Sequence, residues 1–210
     1  MLDPAALAET LGRIDIYLLD QILRGHVQPG MRVIDVGCGH GRNLVYLMRA
    51  GFDVSGLDPD AEAIKAVRSL ATALVPGRSA LQGPAGERFR QESAESSSFP
   101  DGSADLVISN AVLHFSRDHA HFDAQLQGIW RLLAPGGLFF ARLGSTIGID
   151  CRVQDLGNGR FLQPDGSQLY LVSLEQLLAA TEKLGGRLVD PIKTTNVQNL
   201  RCMTTWVMQK

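Results

Sequence analysis

From residue 4 to residue 24 the apolar positions fall at Leu7, Leu11, Ile14, Leu18, Ile22 and Leu23, the spacing of a helix with one buried stripe. Pro29-Gly30 interrupts the chain, and Arg32-Val33-Ile34-Asp35-Val36 follows as a short apolar run, the pattern of a strand covered on both faces. Gly37-Cys38-Gly39-His40-Gly41 then turns the chain into a predicted helix over 42–50, with Gly51 suited to the left-handed position that ends it. The alternation repeats: a strand over 52–57, a helix over 60–74, a strand within 88–92, and a strand over 104–109 behind the turn Pro100-Asp101-Gly102. Asp118 caps a helix running through Phe122, Leu126, Ile129, Trp130 and Leu133, which ends at Ala134-Pro135-Gly136-Gly137 before a fifth strand over 138–143. A helix over 174–184 and strands at Leu188-Val189 and 203–208 complete the pattern.

Strands alternating with helices imply right-handed crossovers and a mostly parallel sheet covered on both faces. Ligands of such sheets bind beyond the carboxyl ends of the strands. The loops after residues 36, 57, 109 and 143 therefore share one rim. Residues 144–172 form a long glycine-punctuated insertion at that rim, in which 160–163 and 168–172 flank Pro164-Asp165-Gly166 as a hairpin. The expected organisation is one domain over 1–210, with a helical segment at 1–29 and the insertion as a lid over that rim, or else as an inert excursion.

Composition narrows the function. Apolar residues make up 45% of the 210, charged residues 20%, and the net charge is −2, ordinary values for a globular protein. No nucleic acid is expected as a partner, since that needs a dense basic patch, and no membrane, since no apolar run is long enough to span one. The N-terminus lacks the basic and apolar regions of a secretory signal. Cys38, Cys151 and Cys202 lack the spacing of a disulfide framework or zinc site, so no metal is expected and a cytoplasmic setting is the simplest.

The chemistry centres on the glycine turn. Glycines there let the backbone bend tightly and approach a ligand. Asp58 follows Gly37 by 21 residues, the interval at which an acid at the next strand tip can accept from ribose hydroxyls. The dinucleotide pattern Gly-x-Gly-x-x-Gly needs glycine at position 42 or 44, where the chain has Arg42 and Leu44, and there is no P-loop.

The run Val33-Ile34-Asp35-Val36-Gly37-Cys38-Gly39-His40-Gly41-Arg42-Asn43 resembles the first motif of class I S-adenosylmethionine-dependent methyltransferases. Gly56-Leu57-Asp58-Pro59, the stretch 99–107 with Phe99-Pro100-Asp101-Gly102, Ser109-Asn110-Ala111-Val112-Leu113-His114, and Leu133-Ala134-Pro135-Gly136-Gly137-Leu138 resemble later segments of that family, in order through residues 30–145. The resemblance implies an α/β, Rossmann-like three-layer sandwich whose seven-stranded, mostly parallel sheet takes its last strand antiparallel. It implies S-adenosyl-L-methionine as donor. Gly37, Cys38 and Gly39 would lie against its methionine part with Asp35 supporting the loop, Asp58 would hold the ribose, Pro59 and Ala94 would flank the adenine, and Asn110 would line the methionine side. Arg42 would reach the donor carboxylate or pair on the surface. Where the family often carries an Asp for the adenine amino group this chain has Ser93, a weaker acceptor, with Glu92 or Glu95 as substitutes. Arg42-Asn43 with Gly51-Phe52-Asp53-Val54 resembles tellurite-resistance and methyltransferase type 11 proteins, which implies a small-molecule acceptor, such as an oxyanion partnered by Arg142, Arg152 or Arg201. Asn110-Ala111-Val112 is unlike the Asn-Pro-Pro motif of amino-methylating nucleic-acid enzymes.

Methyl transfer from a sulfonium needs alignment more than activation, and a base only where the acceptor must lose a proton. His114 and Arg142 are the candidate catalytic residues, at the fourth and fifth strand tips. His119 and His121 with Asp118 and Asp123 read as a solvated first helical turn rather than a metal site. Tyr17 on the N-terminal helix would help cover the acceptor. Two rivals stay open: a nicotinamide-dependent oxidoreductase, and a module that binds the donor without turnover.

Overall fold

The computed structural model describes residues 3–74 and 88–210. Two helices open the chain, α1 (Pro4–Leu11) and α2 (Ile16–Leu23), each begun by an aspartate whose carboxylate accepts a first-turn backbone N–H: Asp3 from Ala5, Asp15 from Tyr17. The helical spacing over 4–24 is thus cut in two at Gly12, whose φ of +65° no ordinary helical residue adopts. There the chain presses on the next helix, and a Cβ on Gly12 would stand 2.9 Å from Val45 Cβ.

The alternating elements follow as β1 (Arg32–Val36), α3 (Val45–Arg49), β2 (Asp53–Leu57), α4 (Ala61–Leu74), β3 (Phe89–Arg90), β4 (Ala104–Asn110), α5 (His119–Leu132) and β5 (Leu133–Gly144). The insertion supplies β6 (Gln154–Gly157), β7 (Arg160–Leu162) and β8 (Gln168–Tyr170), and the chain closes with α6 (Leu174–Lys183), β9 (Arg187–Leu188), β10 (Lys193–Val197) and β11 (Arg201–Gln209). The main sheet runs β10-β11-β5-β4-β1-β2-β3, with β9 pairing β11 as an eighth, two-residue strand. Strands β1 to β5 are parallel, and β11 lies antiparallel between β5 and β10. This is the Rossmann-like architecture expected, with its last strand reversed.

Both sheet faces are buried, and adjacent strand residues alternate between them: Val107 and Phe139 pack under α5 with Trp206, whereas Leu106 and Phe140 pack under α3 and α4. That double covering puts the free space at the carboxyl rim. Here Arg142 on β5 stands opposite Asn110 on β4 and Thr205 on β11.

Several boundaries depart from the sequence reading. Helix α3 starts at Val45 rather than 42, because Arg42–Leu44 are spent leaving the glycine loop; Leu44 N–H still donates to Gly41 O. Strand β5 begins at Leu133 and runs straight through Pro135-Gly136-Gly137, with Gly136 N–H held by Lys210 O. Strands β6 and β10 were not anticipated; both are edge strands of mixed polarity, with no apolar alternation to announce them. The expected hairpin is β7–β8, widened by β6 into a three-stranded antiparallel sheet. The insertion is pinned at its base by the Ser145–Val172 bridge, by Tyr170 OH on His119 Nδ1 (2.8 Å) and by the Tyr170 ring stacked on Phe122. Among the described residues no helix is long and apolar enough to cross a membrane.

Candidate functional site

The glycine loop is wedged between β2 and the tip of β4. The Gly37 and Cys38 N–H groups both donate to Leu57 O (2.7 and 3.0 Å), which draws the loop onto the end of β2. Gly37 sits at φ +69°, and a Cβ there would lie 2.3 Å from Val112 Cγ2. Gly39, at φ +51°, would point a Cβ into open space, with nothing within 4 Å. Its N–H donates to Asp58 Oδ2 (2.9 Å), while Asp58 Oδ1 accepts from Asp60 N–H (2.9 Å). A carboxylate has about four acceptor positions, so Asp58 keeps capacity for a ligand's hydroxyls.

Three cavities line the rim. One of about 270 Å³ lies between Gly37, Asp58, Pro59, Ser93, Ala94 and Gln125, the size and wall chemistry of a nucleoside site. A second, of about 450 Å³, is walled by Gly37, Cys38, Gly39, Arg42, Asn110 and, from the N-terminal segment, Arg13. A third, of about 530 Å³, is walled by Arg42, His114, Phe115, Arg142, Arg201 and the insertion's Gln163 and Asp165. Gly37 borders the first two, and Arg42 borders the second and third. The open face of Gly39 and the acceptor capacity of Asp58 fit an adenosyl donor, so the residues present suit the group that the motif implies.

Asp35 lies behind the loop, 1% exposed, and its Oδ1 has no hydrogen-bond partner among the described residues. Burial pushes its pKa to about 8, against the opposing charge of Arg42. The Cys38 thiol is likewise pushed up by burial. Arg42 donates to Asn110 Oδ1 (2.9 Å), which joins the glycine loop to the tip of β4.

The sequence left the adenine side open. Ser93 and Ala94 border the first cavity, while Glu92 is taken up by Ser98 N–H (2.8 Å) and Glu95 faces His121 Nε2 (3.4 Å). Gln125, on α5, was not anticipated there; its Oε1 accepts from Ser116 Oγ (2.8 Å). Helix α5 comes this close because Gly128 lets it: a Cβ at that position would stand 2.2 Å from Ala94 O. Gly128→Ala is expected to cost up to about 2 kcal/mol, an overpacking loss partly offset by better helix propensity. It should also weaken nucleoside binding. Urea unfolding and a titration with S-adenosylhomocysteine check both, and an unchanged midpoint would refute the tight approach.

His114 is 5% exposed, and its Nδ1 accepts from Gly144 N–H (3.1 Å). Burial lowers its pKa to about 4, so at neutral pH the ring is uncharged and the proton sits on Nε2. Arg142 donates through Nη1 to Asp15 Oδ2 (2.8 Å), and its guanidinium lies over the Tyr17 ring at 4.6 Å. Burial raises the pKa of Asp15, but the hydrogen bonds of Arg142, Asn110 and the Tyr17 N–H together with the charge of Arg142 outweigh it, and the net shift is downward. Asp15 also donates its N–H to Asn43 Oδ1 (3.0 Å), and Tyr17 OH bonds Thr195 Oγ1 (2.6 Å). Asp15 was not singled out from sequence, where only its capping pattern is visible. His119 is bound to Tyr170 and His121 to Arg117 N–H; Arg152 is exposed and does not line the third cavity. Among the described residues no group of three His, Cys, Asp or Glu is placed to hold a metal ion.

The methyltransferase domain family model matches residues 34–141, just over half of the chain. A fatty-acid O-methyltransferase of Mycolicibacterium smegmatis is 30% identical over 138 residues, 65% of this chain and 45% of the relative. An arsenite methyltransferase of Aquipseudomonas alcaligenes is 33% identical over 179 residues, 80% of this chain and 49% of the relative. The chain spans about half the length of the curated relatives it matches. A solved S-adenosylmethionine-dependent methyltransferase from Methanosarcina mazei is similar at a TM-score of 0.71 and 22% identity, covering 90% of this chain and 96% of that one, a likeness of fold. The nicotinamide reading falls with these findings. The chain belongs to the methyltransferase domain family.

Proposed function

We propose that this chain takes a methyl group from S-adenosylmethionine and places it on a small-molecule acceptor. The observation that carries the reading is the adjacency of the three cavities, which share Gly37 and Arg42 as lining residues. Asp58 holds the ribose, Pro59, Ser93 and Ala94 frame the adenine, and Gly37, Cys38, Gly39, Arg42 and Asn110 hold the methionine part, with Asp35 fixing the loop from behind. When bound, the donor supplies a methyl group already activated by a positively charged sulfur. The chain's task is then to hold the acceptor in line behind that carbon, a positional effect that can supply about 7–11 kcal/mol. His114 and Arg142, on the wall of the third cavity, touch the acceptor, and residues 144–172 cover it. The whole is one domain over 1–210, of which residues 1–2 and 75–87 lie outside the described residues. The fatty-acid and arsenite enzymes among its relatives favour a small acceptor over a nucleic acid. A net charge of −2 and three free cysteines accord with that and with a cytoplasmic setting.

Asp58→Ala is expected to weaken S-adenosylhomocysteine binding about tenfold, the size of a lost hydrogen bond to a charged group. Asp58→Asn, which keeps one acceptor oxygen, should fall between. Calorimetric titration measures all three proteins; equal affinity for Asp58→Ala and the parent would end the assignment. Release of S-adenosylhomocysteine from the donor over a metabolite panel tests turnover itself.

A further inference from the structure

The third cavity carries a preference that deepens the proposed function and rests on it. Of the cations on its wall, Arg142 is already matched by Asp15, and Arg42 donates to the uncharged Asn110. Arg201, the exposed first residue of β11, forms no close ion pair with any described residue, and its charge acts at longer range on Asp165 of the same wall. The wall's one carboxylate, Asp165, has its Oδ1 engaged by Ser167 N–H (3.0 Å) and Ser167 Oγ–H (2.6 Å). Gln163 and Ser167 add polar groups, with Gln163 Nε2 donating to Ser167 Oγ (2.8 Å), and the apolar part of the wall is Leu169, Val197, Met203 and Phe115, the last 62% exposed.

None of the titratable groups on this wall is set to remove a proton from an acceptor. They are Arg42, His114, Arg142, Asp165, Arg201 and Cys202. With Nδ1 occupied by Gly144 N–H, His114 presents Nε2 as a donor. Asp165 is held acidic by the Ser167 hydrogen bonds, and burial pushes the Cys202 thiol up. The arginines offer donors and no acceptor atom. An alcohol, thiol or ammonium group would need a base here; an acceptor that arrives ionised does not.

We propose that the acceptor is an organic carboxylate, its apolar body against Phe115, Leu169, Val197 and Met203 and its charge held by Arg201 and the Nε2–H of His114. A lone pair of one carboxylate oxygen forms the new O–CH₃ bond as the S–CH₃ bond breaks. The pair from that bond stays on sulfur, which ends neutral, and no proton moves. The ester product carries no charge, so Arg201 holds it less strongly than it held the acid.

The test is calorimetric titration of the protein saturated with S-adenosylhomocysteine, using octanoate, phenylacetate and benzoate, each beside its primary amide. At least one acid is expected to bind tenfold or more tightly than its amide, and Arg201→Gln should erase that difference while leaving the affinity for S-adenosylhomocysteine unchanged. With the donor present, the same acid should yield its methyl ester by mass spectrometry. Acids that bind no better than their amides, or a preference that survives Arg201→Gln, would overturn the carboxylate assignment and leave the donor reading standing. Failure of S-adenosylhomocysteine itself to bind would overturn both.

Discussion

Alanine at position 37 is expected to abolish S-adenosylhomocysteine binding and to lower the stability of the fold by about 2–5 kcal/mol. Two costs combine. A Cβ at φ +69° meets its own backbone, roughly 1–2 kcal/mol for the left-handed region. It also meets Val112 Cγ2 at 2.3 Å, and a β-branched side chain has little rotamer freedom to yield, so about 1–3 kcal/mol of overpacking is added. Pairing Gly37→Ala with Val112→Ala should recover the second part and not the first. Gly39→Ala gives a contrast: it bears the same backbone cost, but its Cβ enters open space, so binding should suffer more than folding. Urea unfolding and titration on the three variants and the parent separate the terms. Parent-like unfolding of Gly37→Ala would show the loop to be looser than described.

Stability should respond to pH through two buried groups that act in opposite directions. Burial raises the folded Asp35 pKa to about 8 from the ordinary aspartate value of 3.8, so between those values the folded chain binds more protons than the unfolded one and stability falls as pH rises. His114 has a folded pKa of about 4 against 6.5, so between those values the unfolded chain binds more protons and stability rises with pH. From about pH 4 to 6.5 the two slopes, each about 1.4 kcal/mol per pH unit at most, largely cancel. Above 6.5 only Asp35 is left, and stability should drop by about 2 kcal/mol on the way to pH 8. Asp35→Asn should show a rise to pH 6.5 and then a plateau, and His114→Gln a fall across the whole range. Urea midpoints at half-unit pH steps measure these profiles. If Asp35→Asn keeps the parent's decline above 6.5, the carboxyl is ionised in the folded state after all.

Much of this arrangement could be read from local chemistry. The apolar run at 33–36, the glycines after it, Asp58 at the next strand tip and the Asp118 cap are short-range signals, and each element stands where those signals put it. What escaped was decided by partners distant in the chain. Lys193–Val197 is a strand because β11 pairs with it, though its lysine, threonines and asparagine show no buried face. Asp15 is bonded to Arg142, 127 residues away, and Gln125 reaches the first cavity where Gly128 lets α5 touch Ala94. Gly12 carries no apolar signal of its own within the spacing over 4–24, and its positive φ goes with a close approach to Val45, 33 residues further on.

The position of β11 also bears on how the chain assembles. Strands β1 to β5 are joined by crossovers, whereas β10 and β11 form a hairpin that, among the described residues, meets the parallel strands along β5 and otherwise pairs with the two-residue β9. Until that hairpin docks, β5 presents a row of bare backbone donors and acceptors flanked by Phe139 and Phe140, an adhesive edge for another unfinished chain. Substitutions that slow hairpin docking should therefore show up first as aggregation during refolding, before they register in the thermodynamics of the finished molecule.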